Sequence, residues 1–342
     1  MLAYFIKRLL LAVFTLFVIM VISYALLRLS PGDPSKSSFL GENSAMAQGF
    51  SAEKSELMKN TSVRERLHLD KPIHVGFVLW LNGVLVKGDF GVSVAVDKGR
   101  SVVSLILDRL PVTLTINFLA VLMTYILAIP IGIYSAISTN SKIDSVVTII
   151  LFLLYSLPVF WVALLLQVTL CDGGCISIFP LKGISVGDIE GLSTWSILLK
   201  SAMHYVLPVV CLSYAGIAGL SRFARASMME VIQKDYIRTA RAKGLPEHVV
   251  IFKHALRNAV IILITLFAGL IPGLIAGSII IEYVFSIPGM GDLSMLALSS
   301  RDLPLLMALF CFAGTLTLIG IFVADIMYVL VDPRITFNHK KG

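Results

Sequence analysis

Six apolar stretches constrain this chain more than any other feature: Leu9–Leu27, Val112–Ile137, Val146–Leu170, Met203–Leu220, Ala259–Ile281 and Leu303–Leu330. A run of about 18 or more apolar residues is long enough to cross a bilayer as a helix. Inside hydrocarbon the backbone must satisfy its own polar groups, which a helix does within a single segment. The expected fold class is therefore all-α, a polytopic membrane protein with six transmembrane helices. At 342 residues a soluble chain would suggest two domains, but 57% apolar residues and a mean hydropathy of +0.89 point to the membrane instead. The first run follows Lys7 and Arg8, exceeds a signal-peptide core in length and lacks a convincing small-residue cleavage site. It is expected as an uncleaved first span. Pro208 and Gly216 interrupt the fourth run.

An even number of spans puts both termini on one side, and the short loops say which. Lys142 follows the second span, and Arg222, Arg225, Lys234, Arg238, Arg241, Lys243, Lys253 and Arg257 follow the fourth. With Lys7, Arg8, Arg334, Lys340 and Lys341 they place the termini and the fourth loop in the cytoplasm. The net charge of +7 is thus a topological signal, and no nucleic-acid partner is expected. The expected organisation is 1–30 as N-terminal residues and first span, 31–110 as a long extracytoplasmic loop, 111–335 as a five-helix core, and 336–342 as a cytoplasmic tail. In the first loop SAEKSELMKN and HVGFVLWLNGVL read as helices. That loop is either a cap on the outer ends of the spans or a surface for an extracytoplasmic binding protein.

The basic fourth loop has internal structure. Met229, Ile232, Tyr236 and Ala240 fall at spacings of three, four and four, and Val249, Phe252, Leu256 and Ala259 at three, four and three. Each set reads as one face of a helix. Gly244-Leu245-Pro246 separates them: glycine suits the left-handed residue that ends a helix, proline the first position of the next. The spacing predicts helix, sharp break, helix. Composition alone allows a charged loop that merely fixes orientation.

The string TARAKGLPEHVVIFKHALRNA (Thr239–Ala259) resembles the cytoplasmic EAA loop of ABC importer permeases, in the form carried by the peptide and nickel (oligopeptide/dipeptide) subfamily. The general pattern has Glu-Ala-Ala six to four residues before a glycine. Here those places hold Arg238, Thr239 and Ala240 before Gly244, so the glutamate has no counterpart. The resemblance runs on through RLSPGDP (Arg28–Pro34), KGDFGVS (Lys87–Ser93), DRLPVTL (Asp108–Leu114), SLPVFW (Ser156–Trp161), IEYVFSIPGMG (Ile281–Gly291), RDLP (Arg301–Pro304) and DIMYVLVDPRI (Asp325–Ile335). It implies a type I importer permease in the cell inner membrane, whose coupling loop, 222–258 here, docks on a separate ATPase. The docking residues it implies are Asp235, Tyr236, Arg238, Thr239, Ala240, Arg241, Ala242, Lys243, Gly244, Leu245, His254 and Arg257. It implies as partners a homologous second permease subunit, two ATP-binding ATPase subunits, an extracytoplasmic substrate-binding protein and membrane lipid. Short peptides, nickel complexes and peptide-like antibiotics all suit the subfamily as cargo.

The chain's own chemistry agrees with a non-catalytic subunit. No GxxxxGK[ST] phosphate loop and no HExxH string occur, and the six histidines are scattered, so neither a bound cofactor nor a metal is expected. Gly183–Gly187 reads GISVG, matching the GxSxG nucleophile elbow, which acts only where a strand turns sharply into a helix. A secondary transporter would need its own coupling charges in mid-membrane, and the spans are poor in charge away from their ends. Asp325, near the inner end of the last span, needs a partner or solvent.

Two features stay open. Pro130, Gly132, Pro158, Pro208 and the GLIPGLIAG run (Gly269–Gly277) would kink helices or permit close backbone approach, either as ordinary packing or to form a translocation path along the fifth span, for which Thr265, Gly269, Pro272, Gly273, Gly277 and Ser278 are the candidates. Cys171 and Cys175, in CDGGC of an outer loop, are either two thiols or a small disulfide across a flexible turn, the bridge being the expectation carried forward.

Overall fold

A computed structural model describes residues 2–29, 71–181, 183–184, 193–270 and 273–331. The proposed helix SAEKSELMKN, most of GISVG, Pro272 and the C-terminal tail lie outside them. The described residues form helices joined by turns, with isolated β-bridges at Val92–Ser101 and Cys171–Phe179. In chain order the helices are α1 (Leu2–Leu29), α2 (Ile73–Lys87), α3 (Val102–Ile137), α4 (Lys142–Ser156), α5 (Val159–Leu170), α6 (Thr194–Ile232) and α7 (Asp235–Ala242). A helical turn, Glu247–Val249, and a π-helical stretch, Val250–Ala255, follow. Then come α8 (Leu256–Leu270), α9 (Gly273–Ala276), α10 (Ile279–Val284), α11 (Met290–Ser299) and α12 (Leu303–Val331).

Four of the six expected spans are single helices long and apolar enough to cross a membrane: Arg8–Leu26 within α1, all of α3 and α6, and Leu303–Met327 within α12. The third run is broken instead. α4 and α5 meet at 98° across Leu157-Pro158. Proline carries no backbone N–H and pushes the preceding residue out of the helical region; Leu157 is extended at φ −78°, ψ 129°. Its freed carbonyl accepts a hydrogen bond from the Tyr214 hydroxyl of α6 at 2.7 Å. The fifth run is also not one helix. It falls into α8, α9 and α10, with Gly277 left-handed at φ +71° and Ser278 extended, capping α10 through the Ile281 N–H.

The chain divides into two compact units, 1–111 with 289–318 and 112–288 with 319–342. The first unit joins α11 and the start of α12 to the residues before 112. The first unit packs Val102, Ile106, Leu293 and Leu305, all fully buried. Its loop 93–96 closes over Asp302: the Ser93 hydroxyl and the N–H groups of Val94, Ala95 and Val96 all donate to Oδ2, the latter three at 3.0, 3.0 and 3.2 Å. Oδ1 accepts from the Leu305 N–H, so the same carboxylate caps α12. These donors give the buried carboxylate the hydrogen bonds that a polar group removed from water needs.

The second unit is built on close helix approach. A Cβ on Gly132 of α3 would meet Ala224 Cβ of α6 at 2.5 Å and the Ser221 carbonyl oxygen at 2.7 Å. One on Gly216 would stand 3.1 Å from Thr124. Small residues at such crossings let backbones approach where lipid supplies no hydrophobic drive. Packing, then, accounts for Gly132. Asp144, buried near the start of α4, accepts from the Ser135 hydroxyl, the Asn140 N–H and Arg225 Nη2, the last at 2.7 Å. Asp325 is buried as well.

Cys171 and Cys175 correct an expectation. Both are free thiols: Cys171 ends α5 fully buried among apolar neighbours, while Cys175 is exposed. The turn between them uses its polar groups on the backbone, Gly174 N–H to the Cys171 carbonyl at 2.8 Å and Cys175 N–H to the Val168 carbonyl at 3.3 Å. Burial of one sulfur keeps the two side chains apart in environment, and no bridge is formed.

Candidate docking hairpin

From Gln233 to Arg257 the second unit carries the helix–break–helix that the spacing predicts. α6 ends at Ile232, Gln233 and Lys234 turn, and α7 begins at Asp235, an acid at the positive end of a helix. α7 stops in a Schellman motif. The Gly244 N–H reaches the Arg241 carbonyl at 2.9 Å and the Leu245 N–H the Ala240 carbonyl at 3.4 Å, with Gly244 left-handed at φ +75°. Pro246 then opens the helical turn Glu247–Val249. A two-point clasp closes the hairpin: Arg241 Nη2 to Glu247 Oε1 at 2.6 Å and Nε to Oε2 at 3.2 Å. That hydrogen bond raises the arginine's pKa and lowers the glutamate's. A depressed carboxylate stabilises above its unfolded pKa and loses that contribution as pH falls through the folded one, so the clasp is intact at neutral pH.

The hairpin is anchored from beneath. Ile237, Ala240, Val250, Ile251 and Ala255 are buried against Ile133 and Ala136 of α3 and Met228 and Val231 of α6. Ala240 and Ala259 of the expected faces are buried, whereas the other buried positions, Met228, Val231, Ile237, Val250, Ile251 and Ala255, each lie one residue from an expected one. Met229, Ile232, Val249 and Leu256 are only partly buried, while Tyr236 is 45% exposed and Phe252 59%. Two breaks in helical phase interrupt the hairpin: the turn at Gln233-Lys234, and the π-helical stretch, which adds a residue to its turn. Neither leaves a periodic trace in sequence.

The outward face therefore combines Tyr236, Leu245 and Phe252 with Arg238, Lys243, Lys253 and Arg257, all exposed. Asp235, Thr239 and Ala242 are exposed beside them, and His254 is half-buried. Arg238 and Arg241 are matched by Asp235 and Glu247. Of the expected docking residues only Ala240 is buried. The arrangement holds no nucleophile–base pair, and among the described residues no group of three His, Cys, Asp or Glu can hold a metal. It can present aromatic and cationic groups on a rigid base.

The translocation candidates fall where the fifth run breaks. Gly269 is exposed on α8, Gly273 opens α9, and Gly277 and Ser278 form the junction with α10. Pro272 and the Thr265 side chain lie outside the described residues. Sequence reasoning missed the partners of this segment on α3: Asn117 Nδ2 donates to the Leu274 carbonyl at 2.7 Å, and the Tyr125 hydroxyl to that of Leu263 at 3.2 Å. Their signal was there, polar atoms inside an apolar run. In the GISVG loop, His204 Nδ1 lies 2.9 Å from the Gly183 carbonyl oxygen, so that nitrogen is a donor there.

Residues 128–337 match the family model described as "Binding-protein-dependent transport system inner membrane component", and residues 1–117 match "Binding-prot-dependent transport system membrane comp, N-term". The chain is 37% identical over 337 residues to the oligopeptide transport system permease protein AppB of Bacillus subtilis, covering 98% of this chain and 100% of that protein. It is 34% identical over 340 residues to the oligopeptide transport system permease protein OppB of Haemophilus influenzae, covering 98% and 100%. To the dipeptide transport system permease protein DppB of Bacillus subtilis it is 32% identical over 340 residues, covering 99% of each.

Proposed function

Because the chain belongs to the family of binding-protein-dependent transport system inner membrane components, and is thus a multi-pass inner-membrane permease subunit of an ABC importer, we propose that its cargo is short peptides and that Asp235–Arg257 is where the ATPase docks. ATP hydrolysis belongs to separate subunits of the complex. The cargo reading is supported by the oligopeptide and dipeptide transporters to which the chain is similar end to end. The observation that carries the docking reading is the division of the hairpin into a buried apolar underside and an exposed face of Tyr236, Leu245, Phe252 and four cations. Aromatic and arginine side chains are the usual anchors of protein interfaces.

The assembly in this reading holds a homologous second permease, two ATPases and an extracytoplasmic binding protein that hands over the peptide. Closure of the ATPases on ATP moves the hairpin, and the hairpin moves α6, with which it is continuous and against whose last turns it packs. The segment Thr265–Ser278 lines the path. The Asn117 amide of α3, bonded to the Leu274 carbonyl, supports this, since irregular backbone at membrane depth persists only where protein or a watery cavity surrounds it.

Gly244→Val tests docking. A β-branched residue at φ +75° is strained by about 1–3 kcal/mol and unwinds the Schellman end of α7. ATP-driven peptide uptake in reconstituted vesicles is expected to fall about tenfold, the effect of some 1.4 kcal/mol on a docking equilibrium. Membrane insertion should be unchanged, and Gly244→Ala should retain more activity. Wild-type uptake by Gly244→Val defeats the docking assignment.

Both termini lie in the cytoplasm in this reading. A reporter fused after Gly191 should be active only outside, and one fused after Gln233 only inside. Reversed activities would turn the hairpin away from any cytoplasmic ATPase.

A further inference from the structure

Between α4 and α6 lies a cavity of about 470 Å³, apart from both the hairpin face and the broken fifth run. Its polar lining includes Thr148, Arg222 and Arg225, and its apolar lining Ile149, Phe152 and Leu153. Along α4 the lining changes from Thr148 to Phe152 and Leu153, about 6–8 Å farther from the helix start at 1.5 Å per residue. The three apolar residues are 59%, 63% and 55% exposed.

The charges here do not balance. Arg225 gives Nη2 to Asp144 and Nη1 to Thr148 at 3.3 Å, which neutralises it, but its Nε is buried with no hydrogen-bond partner. Arg222 is exposed on the next turn and has no ion-pair or hydrogen-bond partner among the described residues. One positive charge, that of Arg222, is left over beside an exposed apolar surface.

We propose that this cavity binds one anionic phospholipid, its phosphodiester held by Arg222, and its acyl chains laid along Ile149, Phe152 and Leu153. A monoanionic phosphodiester cancels the surplus charge, and the tails cover the apolar lining. A basic recess between helices at the cytoplasmic end of a membrane protein is where such headgroups bind. The inference rests on the membrane location and on the proposed cytoplasmic side for the start of α4, and it goes beyond the transport reading without depending on the cargo.

The test is made on the assembled transporter, delipidated in mild detergent and offered dioleoylphosphatidylglycerol or dioleoylphosphatidylcholine, with bound lipid counted by native mass spectrometry. One phosphatidylglycerol should be retained on this subunit in preference to phosphatidylcholine. Arg222→Gln, which leaves the Arg225–Asp144 pair intact, should weaken retention about tenfold, the usual cost of losing a charged hydrogen bond. Equal retention of the two lipids, retention unchanged by Arg222→Gln, or no lipid retained overturns the proposal. So does displacement of phosphatidylglycerol by inorganic phosphate at equal concentration, which would mean an anion site with no part for acyl chains. If Arg222→Gln does not assemble, the comparison of the two lipids on the wild type decides. Uptake is read on the same preparation, so absent lipid with intact uptake rejects this site and leaves the transport reading standing.

Discussion

Asp302→Ala should lower the stability of the first unit by about 3–5 kcal/mol and release the loop at 93–96. Four donors converge on one carboxylate oxygen, three of them backbone N–H groups that no rotamer change can redirect. Each buried donor left without an acceptor costs about 1–3 kcal/mol, and removing one side of a buried charged network costs more than its formation gained. The capping bond to the Leu305 N–H goes as well. Asp302→Asn keeps the shape and an acceptor oxygen but not the charge, so it should recover part of the loss. Two measurements check this: apparent melting temperature by fluorescence-detected size exclusion, and trypsin cleavage after Arg100, which the released loop should expose. A variant as stable and as protease-resistant as the wild type would show that the loop is held by something other than Asp302.

Gly132→Ala should destabilise the second unit even though alanine is the better helix former by about 1 kcal/mol. Its methyl group would lie 2.5 Å from Ala224 Cβ, 2.7 Å from the Ser221 oxygen and 3.0 Å from the Arg225 nitrogen. Two of those three atoms are backbone, so relief requires α3 and α6 to separate, and such overpacking typically costs about 1–3 kcal/mol. Gly132→Leu should prevent assembly of the complex altogether. Gly219→Ala, where nothing lies within 4 Å of the added carbon, is the control and should be neutral or stabilising. The readout is again thermal stability after extraction, together with the yield of assembled complex. Equal melting of the two alanine variants would mean that the crossing is looser than its geometry.

Four of the spans, the hairpin and the glycine at its break were legible because each rests on local chemistry: apolar length, helical spacing and a left-handed turn. The break at Pro158 was legible as a kink, though not as 98°, because its extent depends on Tyr214 far along the chain. The outward turn of Tyr236 and Phe252 was not legible, since two interruptions of helical phase fall within the hairpin without changing composition. Arg225 was counted as a topological charge; that it would meet Asp144 depends on how α4 packs on α6. RDLP was recognisable as a string, but its reason, a carboxylate for the Ser93–Val96 loop, joins residues some two hundred positions apart. The thiol environments at Cys171 and Cys175 were invisible for the same cause: a flexible turn says that two sulfurs can meet, and only tertiary packing says that one of them is taken into the core.

The bend at Leu157-Pro158 has a mechanical consequence. The oxygen it releases is held by Tyr214, and Tyr214 stands on the helix that ends in the hairpin at Ile232. Eighteen residues of continuous helix separate them, about 27 Å at 1.5 Å per residue. A hydrogen-bonded helix resists stretching along its axis, so this stretch is a connecting rod with the elbow at one end and the hairpin at the other. Axial displacement of the rod must either carry the elbow with it or break a single 2.7 Å bond.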